Sequence, residues 1–236
     1  MKKLFIIANW KSNKTTTEAH EWLVEAANAY EPIANQDKEV IVCPSFTSLP
    51  SMKAYLIQKN LSIKLGAQDV SPFNDGAYTG EISARQAAEL VTHTIVGHSE
   101  RRKYFHETDE DVIKEVARLI EVNITPILCV SDMSQMDYYL MNGKVILDNA
   151  DKIIFVYEPP SAISGGGEFH AEDPEEANKN AAEISQKIGR KVITLYGGSV
   201  NPENAALLFS KDSIDGGLIG QASLDAEKFM QIIKSS

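Results

Sequence analysis

The sequence predicts an α/β fold, a single-domain (β/α)8 barrel over residues 1–236, and two observations carry this prediction. Eight short apolar runs alternate along the chain with longer stretches of helical periodicity. The unit length is about 30 residues in a chain of 236, which agrees with the roughly 250 residues typical of such a barrel. Composition does not shift along the chain and there is no evident linker, which indicates one domain.

Each predicted strand is a short apolar run, mostly rich in β-branched residues, and these runs occupy 4–8, 40–43, 63–67, 94–97, 126–130, 153–157, 192–196 and 217–219. Helical periodicity places helices at about 16–29, 48–58, 83–90, 109–121, 174–188, 202–209 and 225–233. Two of these begin with a polar cap followed by proline, Asp173-Pro174 and Asn201-Pro202, as expected at a helix start. Residues 131–150 predict only one poor helix, because the stretch is short and rich in Met, Tyr and Asn.

An open doubly wound sheet would show the same alternation of strands and helices. That architecture commonly carries a GxGxxG turn after its first strand, and this chain does not. A barrel also explains why polar residues follow the strands, since barrel active sites lie at the carboxyl ends of the strands. The polar residues found there are Asn9, Lys11, Gln68, His98 and Glu158, and glycine-rich turns follow the seventh and eighth strands.

Composition excludes several classes of function. The net charge of −10 argues against nucleic acid and anionic membranes as partners, because both require clustered Lys and Arg. Two cysteines, Cys43 and Cys129, follow apolar runs and no metal-type CxxC or HExxH spacing occurs, so we expect buried reduced thiols and no metal site. The first apolar run, at residues 4–8, is too short for a signal-peptide core. The expected location is the cytoplasm.

Six motifs follow one another in order along the chain. They are Ala8-Asn9-Trp10-Lys11, Gly66-Ala67-Gln68, Tyr78-Thr79-Gly80-Glu81-Ile82-Ser83, Val96-Gly97-His98-Ser99-Glu100-Arg101-Arg102, Tyr157-Glu158-Pro159 and Tyr196-Gly197-Gly198-Ser199-Val200, with Gly220 to Leu224 after them. In these motifs the chain resembles the triosephosphate isomerase family over essentially its whole length. The resemblance implies a TIM barrel that interconverts dihydroxyacetone phosphate and D-glyceraldehyde 3-phosphate in glycolysis and gluconeogenesis, without a cofactor and usually as a homodimer.

The residue types suit that chemistry. Moving a carbonyl by one carbon requires a base, and Glu158, at the end of an apolar run, is the predicted base. The enediolate needs hydrogen-bond donors, and His98, directly before helix-compatible sequence, is predicted to be a neutral donor at a helix N-terminus. Lys11 would add positive charge beside the developing oxyanion and Asn9 a neutral donor. Glu100 is predicted to be a supporting residue that braces the site, touches Lys11 or exchanges protons with the intermediate.

The substrate phosphate is predicted to bind backbone amides, since the chain is acidic and few basic residues lie at strand ends. The turns with Ser199, Gly220 and Gln221 follow the last two strands, where barrels commonly bind phosphate. By resemblance, residues 159–168 form a lid over the substrate, and Ser164 in this lid adds a further phosphate contact. The predicted substrate-binding residues are Asn9, Lys11, Ser164, Ser199, Gly220 and Gln221.

A homodimer is predicted from the loop at residues 69–81, whose tip carries Phe73 and Tyr78, two aromatic residues expected to be covered. By resemblance this loop inserts into the partner, with Thr79 near the partner's Asn and Lys. Arg101 is expected to be structural, bracing the site or pairing with Glu81. The other histidines, His20, His93, His106 and His170, are expected to be surface or structural residues.

Departures from the family pattern leave two rival interpretations. Pro160 and Ser161 stand where the family has an aliphatic residue and tryptophan, Ser164 and Gln221 replace glycines, Gly167 replaces a lysine or arginine, and Asp69 replaces an asparagine. The altered lid suggests a barrel kept as a binding protein, although an intact set of Asn9, Lys11, His98 and Glu158 speaks against it. The other rival is a different phosphosugar isomerase or aldolase; an aldolase would place a Schiff-base lysine at a strand end, and no predicted strand ends that way.

Overall fold

The computed structural model describes residues 2–30, 37–159 and 171–236, and its eight parallel strands close into a barrel. Neighbouring strands pair in sequence order, and β8 closes the ring against β1. The strands are β1 (Leu4–Asn9), β2 (Lys38–Cys43), β3 (Lys64–Ala67), β4 (His93–Val96), β5 (Thr125–Val130), β6 (Ile154–Tyr157), β7 (Ile193–Tyr196) and β8 (Gly216–Ile219). The predicted single-domain (β/α)8 barrel is confirmed, and the doubly wound alternative is wrong.

Helices surround the barrel, and each helix predicted from periodicity has a counterpart among them. They are α1 (Thr16–Tyr30), α2 (Leu49–Lys59), α3 (Ala84–Ala87), α4 (Ser99–Phe105), α5 (Asp109–Glu121), α6 (Met133–Asn142), α7 (Lys144–Asp148), α8 (Pro174–Ile188), α9 (Ala205–Phe209) and α10 (Ala226–Ser235). The helix predicted at 202–209 begins later, because the Asn201 side chain accepts the backbone N–H groups of Glu203 and Asn204. These bonds hold a turn before α9 starts.

The core has two layers because successive strand residues point to opposite sides of the sheet. Even positions of β1, such as Ile6 and Ala8, pack against the surrounding helices in the larger apolar cluster. Odd positions, Phe5 and Ile7, belong to a cluster of strand residues that fills the barrel interior. That interior is completed by Ile41, Cys43, Ile95, Ile127, Cys129, Ile154, Val156, Leu195 and Leu218.

The segment 131–150 differs from the expectation of one poor helix, since it forms α6 and α7. Asp132 caps α6 in a reciprocal arrangement with Gln135, which satisfies amides at the helix start. Tyr139 is fully buried, and its hydroxyl accepts a hydrogen bond from Arg102 Nη2 at 2.6 Å. Tertiary packing of Met136, Tyr139 and Ile146 therefore stabilises helices that local propensity does not predict.

Cys43 and Cys129 are both buried and unpaired, as predicted. Burial raises the pKa of each thiol above its ordinary value and keeps it protonated. Across the part of the chain that the structure describes, no helix combines the length and apolar character needed to span a membrane.

Candidate active site

The structure brings the four predicted catalytic residues into one cavity at the carboxyl ends of the strands. Asn9 ends β1 and Lys11 lies two residues beyond it, whereas His98 follows β4 and Glu158 follows β6. All four line the same cavity. Asn9, His98 and Glu158 are buried, so their polar groups interact at low dielectric, where electrostatic effects are strong.

Glu158 and His98 are in direct contact. Glu158 Oε1 lies 3.0 Å from His98 Nε2, and Glu158 Oε2 accepts a hydrogen bond from the Ser99 backbone N–H at 3.1 Å. Glu158 is only 1% exposed, so both oxygens are held by the start of α4 and not by water. A carboxylate held this way is positioned to accept a proton from a molecule that replaces these partners.

The tautomer of His98 follows from its neighbours. The Glu100 backbone N–H donates to His98 Nδ1 at 3.1 Å, so Nδ1 must be an unprotonated acceptor. Glu100 Oε2 lies 3.8 Å from the same nitrogen, too far to accept a hydrogen bond from it. The proton of the neutral ring therefore sits on Nε2 and points to Glu158. His98 is thus a neutral donor facing the cavity.

Lys11 has a strained backbone, with φ of 53°, a region that non-glycine residues enter at a cost of roughly 1–3 kcal/mol. Two side chains hold it there. Asn9 Oδ1 accepts the Lys11 backbone N–H at 3.1 Å, and Gln68 Nε2 donates to the Lys11 carbonyl at 2.9 Å. The Lys11 side chain lines the cavity, and its Nζ pairs with Glu100 Oε1 at 2.6 Å.

Gly97 makes the tight turn that carries the chain from β4 to His98. Its φ is 70°, and a Cβ at this position would lie 2.9 Å from Arg102 Nη2 and 3.2 Å from the Cys129 carbonyl oxygen. Any other residue would meet both backbone strain and a collision with the wall behind the site. The position of His98 therefore depends on glycine here.

Gly97→Ala is expected to lower the free energy of unfolding by about 1–2 kcal/mol through backbone strain and by a further 1–3 kcal/mol or so through overpacking. Gly189→Ala is the matched control, because Gly189 has a φ of 80° but a Cβ there meets nothing within 4 Å. Urea unfolding of both variants measures the two costs separately. Equal losses of unfolding free energy in the two variants would show that the residues behind Gly97 move aside at no cost.

The two glycine-rich turns also border the cavity. Gly197, Gly198 and Ser199 follow β7, and Gly220 and Gln221 follow β8. Gln221 is not among the residues with positive φ, so the glutamine fits the backbone of the 3-10 turn Gln221–Leu224 without strain. The Gly220 carbonyl is fixed by the Ser223 backbone N–H at 2.9 Å. Both turns line the cavity that also holds Lys11 and His98.

Comparison with known proteins bears on this arrangement. A sequence model of the family described as triosephosphate isomerase matches residues 4–236. The chain is 38% identical to a triosephosphate isomerase of Thermus thermophilus over 252 aligned residues, covering 99% of both chains. The chain belongs to the triosephosphate isomerase family. It is also 38% identical to the triosephosphate isomerase of Endomicrobium trichonymphae and 36% identical to that of Dictyoglomus thermophilum, with 100% of each chain covered.

Triosephosphate isomerases interconvert dihydroxyacetone phosphate and D-glyceraldehyde 3-phosphate, a step of glycolysis and gluconeogenesis, and a proton must move between two neighbouring carbons. The cavity holds one carboxylate and one neutral imidazole in contact, together with an ammonium group. These groups are what a proton transfer through an enediolate requires.

The remaining predictions for the site have different outcomes. Thr79 is exposed on the loop after β3 and does not line the cavity of its own chain. Ser164 and the lid at 160–168, like His170, fall outside the described residues. Arg101 does not pair with Glu81 as one expectation had it. Its ion pairs among the described residues are with Asp69 at 2.8 Å and Glu107 at 2.5 Å.

Two contributors to the site were missed from the sequence. Gln68 follows β3 and was noted as a polar strand end and as part of a family motif, without an assigned role, yet its amide donates to the carbonyls of Lys11 and Cys43. The Ser99 backbone N–H holds Glu158, and no residue type signals such a bond. The isomerase family motif around His98 was the only sequence signal for this amide, through its position directly after the histidine.

Proposed function

We propose that the chain is an aldose-ketose isomerase of triose phosphates in which Glu158 is the base and His98 the neutral electrophile. The contact of 3.0 Å between Glu158 Oε1 and His98 Nε2 supports this proposal most directly, because it joins a carboxylate acceptor to a donor of known tautomer. Lys11 and Asn9 complete the polar wall of the cavity. Membership of the family supports the choice of substrate, and the contact between Glu158 and His98 supports the roles of these two residues.

The reaction begins when the substrate carbonyl oxygen replaces Glu158 as acceptor of the His98 Nε2–H. The freed carboxylate of Glu158 then removes a proton from C1 of dihydroxyacetone phosphate, and the C1–H electrons form the enediolate double bond. Negative charge develops on the oxygen at C2, beside His98 and the Lys11 ammonium. Each preorganised hydrogen-bond donor at such an oxygen stabilises the transition state by about 2.7–4 kcal/mol. The hydroxyl proton on the oxygen at C1 moves to the oxygen at C2, with His98 Nε2 donating its proton to the second oxygen and taking one from the first. Glu158 finally returns its proton to C2, so that the carbonyl forms at C1 and the product is D-glyceraldehyde 3-phosphate.

The phosphate of the substrate is proposed to bind between the turn at Gly197, Gly198 and Ser199 and the turn at Gly220 and Gln221. Both border the cavity with Lys11. Backbone amides in such turns recognise phosphate without side-chain charge, which suits a chain of net charge −10. Ser164 and the lid at 159–168 remain proposals by family resemblance, with the role of excluding water from the enediolate.

Deuterium exchange tests the proposal together with a coupled assay of glyceraldehyde 3-phosphate formation. The chain should convert dihydroxyacetone phosphate to product and, in D₂O, should place deuterium from solvent on the carbon that Glu158 serves. An inert chain in both assays would support the binding-protein alternative. Turnover of larger sugar phosphates but not of triose phosphates would support a different phosphosugar isomerase.

A homodimer is proposed from the loop at residues 69–81. Phe73 and Tyr78 stack with ring centroids 4.4 Å apart and are 44% and 43% exposed. The loop is braced within its own chain, since Asn74 Oδ1 accepts a hydrogen bond from Arg118 at 2.6 Å. A rigid, aromatic projection of this kind is typical of an interface anchor, and it would carry Thr79 toward the partner's site.

Replacing Phe73 and Tyr78 together by serine is expected to convert the dimer to monomer and to lower activity, because the anchor and its buried area are lost. Sedimentation velocity over a range of concentrations measures the change. Leu207→Ser is the control, since Leu207 is 54% exposed on α9, outside this loop. A wild-type chain that is monomeric and fully active would contradict the dimer.

A cytoplasmic location is also proposed. Two buried, unpaired thiols suit a reducing compartment better than an oxidising one. Glycolytic enzymes, the class to which this family belongs, are usually cytoplasmic.

A further inference from the structure

A second group of acidic side chains lies apart from the residues proposed for catalysis. Asp69 lies in the loop after β3, Glu107 in the turn between α4 and α5, and Glu115 on α5. One carboxylate oxygen from each lies within 4.8 Å of the other two. Glu107 and Glu115 are 8% and 1% exposed, so two of these carboxylates lie beneath the surface.

Arg101 satisfies only part of this acidic group. Its guanidinium binds Asp69 Oδ2 at 2.8 Å and Glu107 Oε1 at 2.5 Å. Three oxygens remain buried with no hydrogen-bond partner in the described residues: Asp69 Oδ1, Glu107 Oε2 and Glu115 Oε2. Oxygens without partners on three converging carboxylates require a hydrogen-bond donor or a cation, since a buried polar group without a partner is costly.

Three ionised carboxylates in this group would carry −3 against the +1 of Arg101, which leaves −2 in a largely buried space. A divalent cation bound to the unpartnered oxygens would balance that charge, since buried charges are paired or coordinate metals.

We propose that Asp69, Glu107 and Glu115 bind a hard divalent cation of the size of Ca²⁺. Carboxylate oxygens are the ligands such cations prefer. Three protein carboxylates from separate elements favour Ca²⁺, which takes several carboxylate ligands in flexible geometry, over Mg²⁺, which usually keeps its waters and takes only one or two carboxylates. Asp69, whose side chain is 27% exposed, gives the route of entry.

The role of this cation is structural, because the site contacts no residue that we assign to the substrate. It would join the loop after β3 to the α4–α5 turn and to α5. Asp69 directly follows Gln68, the side chain that holds the Lys11 carbonyl. Binding therefore stiffens the loop that braces the strained backbone of Lys11.

Isothermal titration calorimetry and thermal unfolding of the full chain, stripped with EDTA and then titrated with Ca²⁺ or Mg²⁺, test the proposal. We expect saturable binding of one Ca²⁺ per chain, at least tenfold tighter than Mg²⁺, with a rise in Tm. Glu115→Gln and Asp69→Asn should each weaken Ca²⁺ binding at least tenfold. Glu110→Gln, an exposed change on the same helix, is the control and should bind as the wild type does.

Two results would overturn the proposal: the absence of saturable Ca²⁺ binding to the wild-type chain, and Ca²⁺ binding by Glu115→Gln and Asp69→Asn that equals that of the wild type. Neither result bears on the isomerase chemistry, which the coupled assay tests separately.

Discussion

Glu158→Gln is expected to lower kcat by about 10²–10⁴-fold, the usual contribution of a positioned general base, while KM changes much less. Glutamine keeps the shape of the side chain, and its single amide oxygen can accept one of the two hydrogen bonds, from the His98 Nε2–H or from the Ser99 N–H, that the two carboxylate oxygens accept now. It cannot take a proton from carbon. The loss therefore isolates proton transfer from substrate binding, and steady-state kinetics in both directions measures it.

Glu203→Gln is the matched control for this substitution. Glu203 lines the same cavity but is exposed on its rim, so its kcat should stay within about twofold of the wild-type value, since an exposed carboxylate interacts weakly. A Glu158→Gln enzyme that still exchanges the substrate proton with solvent at the wild-type rate would assign the base to another residue.

His98→Asn is expected to lower kcat by about 10²–10³-fold, the cost of removing one donor from a developing oxyanion. The shorter amide cannot reach the place where His98 Nε2 now meets Glu158 at 3.0 Å. Because the ring accepts a hydrogen bond at Nδ1 from the Glu100 N–H, nitrogen-15 NMR of the wild-type chain should show a neutral imidazole protonated at Nε2.

His20→Gln serves as the control for the histidine substitution. His20 is exposed and packs edge-on against Tyr55, so both its kinetics and the NMR signals of His98 should be unaffected by the change. An imidazolium at position 98 in the NMR spectrum at neutral pH would contradict the assigned tautomer.

The barrel was predictable because its strands and helices have distinct periods, and its four central polar residues were predictable because parallel strands end on one rim. His98 and Glu158 are sixty residues apart in the chain, yet each follows an apolar run. The helices at 131–150 were not predictable, since their stability comes from the burial of Tyr139 and Met136 against other elements and not from local propensity.

The details of the site were less accessible to sequence reasoning. Several roles for Glu100 were open, and only the coordinates select its ion pair with Lys11. Arg101 was expected to brace the site or to pair with Glu81, but it turns instead to Asp69 and Glu107. The group of Asp69, Glu107 and Glu115 has no spacing motif, because three separate elements contribute one residue each. Such a group exists only after the chain has folded.

The two thiols in the barrel interior can be used as probes of barrel opening. Cys43 and Cys129 are sealed among strand side chains, and neither is exposed to any measurable degree. An alkylating reagent in the medium can reach them only when the ring of strands parts. Their labelling would therefore follow the rare excursions of the whole barrel and ignore the faster movements of its surface loops.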